Sequence, residues 1–99
     1  MIVSRTPYRI SFFGGGTDYP DWYLKNGGSV LSSTINKYCY ITTKYSTNLN
    51  ESVHKIIWTH IENVYSFKDI LHPAVREGLQ QLGLDESVPL EIYHSGDLP

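Results

Sequence analysis

Apolar positions in the first dozen residues cluster rather than recur at helical spacing. Ile10, Phe12 and Phe13 crowd the end of the segment from Ile2 to Phe13, and Pro7 disfavours a helix in its middle. The pattern predicts a strand that meets the core near its end, stopped by Gly14-Gly15-Gly16. A short helix should follow, with Asp18 as N-cap, Pro20 in the first turn, Asp21 at the positive dipole end and Asn26-Gly27 as the stop. From Ser29 to Ser46 β-branched and aromatic residues dominate, with a polar break at Asn36-Lys37, which predicts two strands over 29–35 and 38–46. Asn48 to Ser52 reads as a loop, His54 to Thr59 as a strand, and Ile61 to Phe67 as extended or irregular.

Pro73 opens a clearer helix over 73–82, in which Val75, Leu79 and Leu82 recur at spacings of four and three. Gly83 ends it. Val88 to His94 sets Leu90, Ile92 and His94 against Glu91 and Tyr93, the alternation of a strand, and Ser95 to Pro99 leaves it as a loop. The class is α+β, with mostly antiparallel strands and two helices.

Composition narrows the function classes. The 99 residues, 40% hydrophobic with two Trp, three Phe and eight Tyr, are too apolar for a disordered chain and make one domain or part of a larger one. A net charge of −2 with no basic run leaves no footprint for a nucleic-acid backbone or an anionic membrane surface. No apolar stretch approaches the roughly 20 residues of a membrane span. Met1 to Arg5 lacks the layout of a signal peptide, so the expected location is cytoplasmic. Cys39 stands alone, without a partner for an internal disulfide, and reads as a small buried hydrophobe. Asn50-Glu51-Ser52 fits a glycosylation triplet with no secretion signal behind it. His54, His60, His72 and His94 have no ligand-like spacing, so no metal site is expected.

The chemistry concentrates between Arg5 and Pro20. Three glycines after an apolar strand let the backbone take positive φ and approach a ligand closely, although a tight turn uses glycine for the same reason. A dinucleotide loop would need a third glycine where Tyr19 stands, and no Gly-Lys-Ser/Thr follows to make a Walker loop. Thr17 and Asp18 then place a hydroxyl and a carboxylate at a helix start, where Asp18 serves either as a cap or as a ligand-binding group.

Pro7-x-Arg9-Ile10-x-Phe12-x-Gly14-Gly15-Gly16-Thr17-Asp18-Tyr19 resembles the first signature of the GHMP kinases. Gly15-Gly16 stands where galactokinases carry Glu-His, which resembles the branch containing heptose 7-phosphate kinases and disfavours galactose. The likeness continues through 27–38, 72–77 and Gly96-Asp97-Leu98-Pro99.

The resemblance implies the amino-terminal part of a ribosomal protein S5 domain 2-like domain, ending before the phosphate-binding loop. It implies ATP-dependent phosphorylation of a sugar or sugar phosphate by a full-length parent that uses ATP and Mg²⁺. By resemblance Asp18 would accept hydrogen bonds from sugar hydroxyls, with Gly14, Gly15, Gly16, Thr17 and Tyr19 completing the substrate site. Arg9 would either stabilise charge near the acceptor hydroxyl or act as a structural partner for Asp18. Tyr19 and Trp22 are the best candidates for sugar stacking. Trp58 is a candidate for an adenine pocket, against a plain core role. On this reading the fragment alone is inactive and carries uncovered apolar surface that favours self-association. The alternative is a truncated, non-catalytic sugar-binding module or a product with no activity of its own.

Overall fold

A computed structural model describes residues 1–46 and 53–99. The loop expected over Asn48 to Ser52, and the Asn50-Glu51-Ser52 triplet with it, lies outside the described residues. Five strands, β1 (Ile2–Phe13), β2 (Leu31–Tyr45), β3 (His54–Ile57), β4 (Ile61–Val64) and β5 (Leu90–Gly96), form a sheet in the order β1-β2-β5-β3-β4. Among the described residues two helices, α1 (Pro20–Asn26) and α2 (Pro73–Leu82), and two 3-10 turns, Gly15–Asp18 and Phe67–Asp69, accompany the sheet in an α+β architecture.

The sheet is mixed. β3 pairs antiparallel with β4, Ile56 opposite Glu62, and parallel with β5, Ile56 opposite Ile92. The expectation of mostly antiparallel strands overlooked the parallel pair, because side-chain alternation is the same in both kinds of ladder. A parallel neighbour needs a crossover, which the segment from the end of β4 through α2 supplies. The second correction concerns β2, one strand of 15 residues rather than two. Asn36 and Lys37 are exposed, so they pay no desolvation cost. Because β2 lies between β1 and β5, its backbone has a ladder partner on either side.

The chain divides into two compact units, one of Met1–Arg5 with Tyr40–Ser95 and the other of Thr6–Cys39 with Gly96–Pro99. The first holds the core: Ile56, Phe67, Ile70, Leu79, Leu90 and Ile92 are buried, with Ile41, Trp58, Val64 and Val75 packed against them. Each such side chain contributes about 1.5–3 kcal/mol when fully removed from water. α2 buries Leu79 and half-buries Val75, whereas Leu82, the last residue of the predicted stripe, is 72% exposed. Gly83 terminates the helix in the left-handed conformation.

The second unit contains the glycine turn and α1. The end of β1, expected to meet the core, does not: Ile10, Phe12 and Phe13 are exposed, because the buried cluster belongs to the first unit. The ends of the second unit are clasped by a reciprocal pair of bonds: the Tyr38 amide donates to Asp97 Oδ2 at 2.8 Å, and the Asp97 amide donates to the Tyr38 carbonyl at 2.9 Å. Gly96 lies so close to the Tyr8 hydroxyl that a Cβ there would overlap it. The segment expected to be a loop from Ser95 is thus strand as far as Gly96 and is then fixed by Asp97.

Candidate functional site

β1 ends at Phe13 and the chain reverses at Gly14, whose φ of 84° is the only positive one in the triplet. A side chain there would be strained, and its Cβ would run into the Ser29 carbonyl. Gly15–Asp18 then winds one 3-10 turn before α1 begins at Pro20. Asp18 is therefore not the helix N-cap. Tyr19 holds that position without a side-chain bond, and its carbonyl accepts from the Trp22 and Tyr23 amides.

Relieved of capping, the Asp18 carboxylate accepts from Arg9, with Nη2 to Oδ2 at 3.2 Å. The two side chains are 56% and 46% exposed, so solvent screens the pair, and such pairs are worth about 0–1 kcal/mol. Geometry thus joins two residues nine positions apart, the pairing with Asp18 that the sequence offered as one of two roles for Arg9. It leaves the carboxylate open to a competing partner.

Thr17 points elsewhere. Its hydroxyl donates to the Gly14 carbonyl at 2.7 Å and lies 3.3 Å from the Ser29 carbonyl. Thr17 and Asp18 line a cavity of about 350 Å³ together with Tyr23 of α1 and the 27–30 segment. Arg9, the glycine triplet and Tyr19 do not line it. Tyr19 and Trp22 are 70% and 52% exposed, and the aromatic side chain at the cavity is Tyr23 instead. Trp22 and Tyr23, adjacent on α1, lie about 100° apart around its axis, and Tyr19 precedes the helix in extended backbone. The 27–30 wall carried no sequence signal for a role, because it contributes chiefly backbone.

The first unit holds a polar network that no motif announced. Glu62, 7% exposed, accepts from Trp58 Nε1 at 2.8 Å, the Leu71 amide at 2.6 Å and the His72 amide at 3.3 Å. His72, also 7% exposed, is the N-cap of α2: its Nδ1 accepts from the Val75 amide at 3.3 Å. That bond fixes the tautomer. With Nδ1 as acceptor the proton sits on Nε2, which donates to His94 Nδ1 at 3.0 Å. Burial holds the His72 pKa below its ordinary value, and His94 lowers it further, against the raising effect of Glu62. Trp58 is half-buried against the core, with its ring 4.7 Å from that of His72. His54, wholly buried, accepts from the Leu90 amide through Nδ1 and donates from Nε2 to the Glu86 carbonyl, each at 3.1 Å. Among the described residues no three His, Cys, Asp or Glu side chains are grouped to hold a metal ion, and no helix is long and apolar enough to cross a membrane.

No protein-family model matches the sequence, and no curated protein matches it. Among solved structures the chain matches a D-glycero-D-manno-heptose 1-phosphate kinase from Bacteroides thetaiotaomicron, with a TM-score of 0.71 and 19% sequence identity. The likeness is one of fold. It takes in 98% of this chain and 34% of that kinase, so this chain spans about a third of the kinase's length.

Proposed function

We propose that this chain supplies the acceptor-sugar side of an ATP-dependent sugar kinase of the GHMP type, acting on a heptose phosphate or a related sugar. On this reading it is the amino-terminal part of a ribosomal protein S5 domain 2-like domain. The observation that carries the proposal is the Asp18 carboxylate, exposed, held by Arg9 through one oxygen and placed on the wall of a sugar-sized cavity. Fold likeness to a heptose 1-phosphate kinase and the motif from Pro7 to Tyr19 support it independently.

Gly15 and Gly16 add a further argument. Neither has positive φ, a Cβ on Gly15 would make ordinary contact with Ser11, and one on Gly16 would meet nothing within 4 Å. Among the described residues nothing therefore requires glycine at these two positions. A ligand approaching the backbone does.

Asp18 accepts hydrogen bonds from sugar hydroxyls held in the cavity, which Tyr23 and the 27–30 segment border, and Arg9, through its pair with Asp18, offsets negative charge near the acceptor; the part of the ligand outside the cavity meets the glycine turn and Tyr19. Asp18 is a single carboxylate already paired with Arg9, and among the described residues no cluster of acidic side chains accompanies it to hold Mg²⁺. We assign the nucleotide and metal to the remainder of a longer parent.

The test is a coupled ADP-release assay on the full-length parent with ATP, Mg²⁺ and the 1- and 7-phosphates of heptose. Turnover is expected, and Asp18→Asn should lower kcat/KM by about 10- to 100-fold, the worth of a charged hydrogen bond. The melting temperature should hardly move, because the Arg9 pair is exposed. No turnover on any sugar sinks the proposal, as does an Asp18→Asn protein whose melting temperature falls while its kcat/KM stays at the wild-type value.

A further inference from the structure

We infer that Thr17 is a positioning residue of the sugar site, a clamp between the glycine turn and the 27–30 wall rather than a sugar ligand. The inference rests on the sugar-site reading above for its functional consequence, but its geometry stands alone. Thr17 carries one hydroxyl proton. At 2.7 Å the Gly14 carbonyl takes it, and the Ser29 carbonyl at 3.3 Å takes the weaker branch of a shared bond. The Thr17 amide also donates to the Gly14 carbonyl, at 3.0 Å, so residue and turn are joined twice.

The wall is fitted to this side chain. A Cβ on Gly28 would stand 2.8 Å from Thr17 Oγ1 and 2.9 Å from its Cβ, and one on Gly14 would strike the Ser29 carbonyl. Gly14, Gly28 and Thr17 therefore form one interlocked contact, with a glycine wherever a side chain would force the two segments apart. Asp18 follows Thr17 directly, so whatever fixes Thr17 fixes the start of the carboxylate's lever arm. A hydroxyl whose proton is already committed to carbonyls has only its lone pairs left for a ligand.

Three variants of the full-length protein test this: Thr17→Ser keeps the hydroxyl, Thr17→Val removes it at equal size, and Gly28→Ala keeps it while displacing it. Amide exchange is followed at 14–18 and 27–30, and heptose 1-phosphate is titrated calorimetrically. Thr17→Val and Gly28→Ala should each speed exchange in both segments by about five- to tenfold, the worth of one net hydrogen bond, and weaken sugar binding in step. Thr17→Ser should restore both. Lost binding with unchanged exchange in Thr17→Val overturns the clamp, because the hydroxyl then touches the sugar itself. Wild-type exchange in Gly28→Ala overturns it too. If the wild type binds no heptose phosphate, the sugar-site reading falls while exchange still decides the clamp: protection unchanged in Thr17→Val ends it. Should Thr17→Val not fold, Thr17→Ser and Gly28→Ala carry the same comparison.

Discussion

The glycine triplet shows how differently neighbouring identical residues are constrained. Gly14 answers to the chain, by its φ of 84° and by the Ser29 carbonyl that a Cβ would meet, whereas Gly16 has open space around it. Gly14→Ala should therefore destabilise the protein by more than about 1 kcal/mol, and Gly16→Ala should stabilise it slightly or leave it unchanged. Chemical denaturation of the two variants checks the contrast. Equal losses would mean that Gly16 also serves the fold, which would remove one support for a ligand at that position. The sequence marked this triplet as important but could not rank its members, since φ and the approach of residue 29 are tertiary facts. Asp18 is a similar case. Its position suggested a cap, and only the intervening 3-10 turn frees it for Arg9.

At the level of elements, α2 joins its own start to the rest of the first unit through His72. Pro73 and Gly83 marked the helix boundaries in the sequence, and the helix runs Pro73–Leu82 as read. The cap was not legible, because histidine is an uncommon N-cap and its acceptor nitrogen is selected by the Val75 amide. A histidine whose folded pKa is lowered binds fewer protons folded than unfolded, so stability rises with pH. Its contribution is complete above the ordinary value of 6.5 and is lost as pH falls from there toward the folded value. The groups facing the ring are His94 on β5 and Glu62 on β4. Urea unfolding at pH 7.5 and 5.5 should show the wild type losing stability on acidification. His72→Asn, which can still cap α2 but cannot titrate, should lose less. The same pH dependence in both proteins would place the titration elsewhere.

For the molecule as a whole, the exposed apolar side chains carry the strongest expectation. Phe13, Leu24 and Leu82 are 74%, 76% and 72% exposed, and the first unit has an apolar groove of about 300 Å³ lined by Leu79, Leu82, Leu84 and Leu90 among others. Surface of this kind favours association, so the isolated 99-residue chain should bind a hydrophobic dye and sediment faster as its concentration rises. A dye-silent monomer at all concentrations would show that these side chains are tolerated singly. The sequence by itself determined β1, α2 and the buried alternation of β5, because each follows from local steric rules: proline and glycine at fixed points, and periods of two or 3.6. It also singled out Arg9, Gly14, Thr17 and Asp18 at the glycine turn as candidates, since residue types and spacing are sequence properties. Only the tertiary structure decided that β2 is unbroken, that β3 and β5 run parallel, that Arg9 meets Asp18 and that His72 meets His94. Those outcomes depend on partners distant along the chain. Their energies come from shared ladders, burial and hydrogen bonds that no local window of sequence contains.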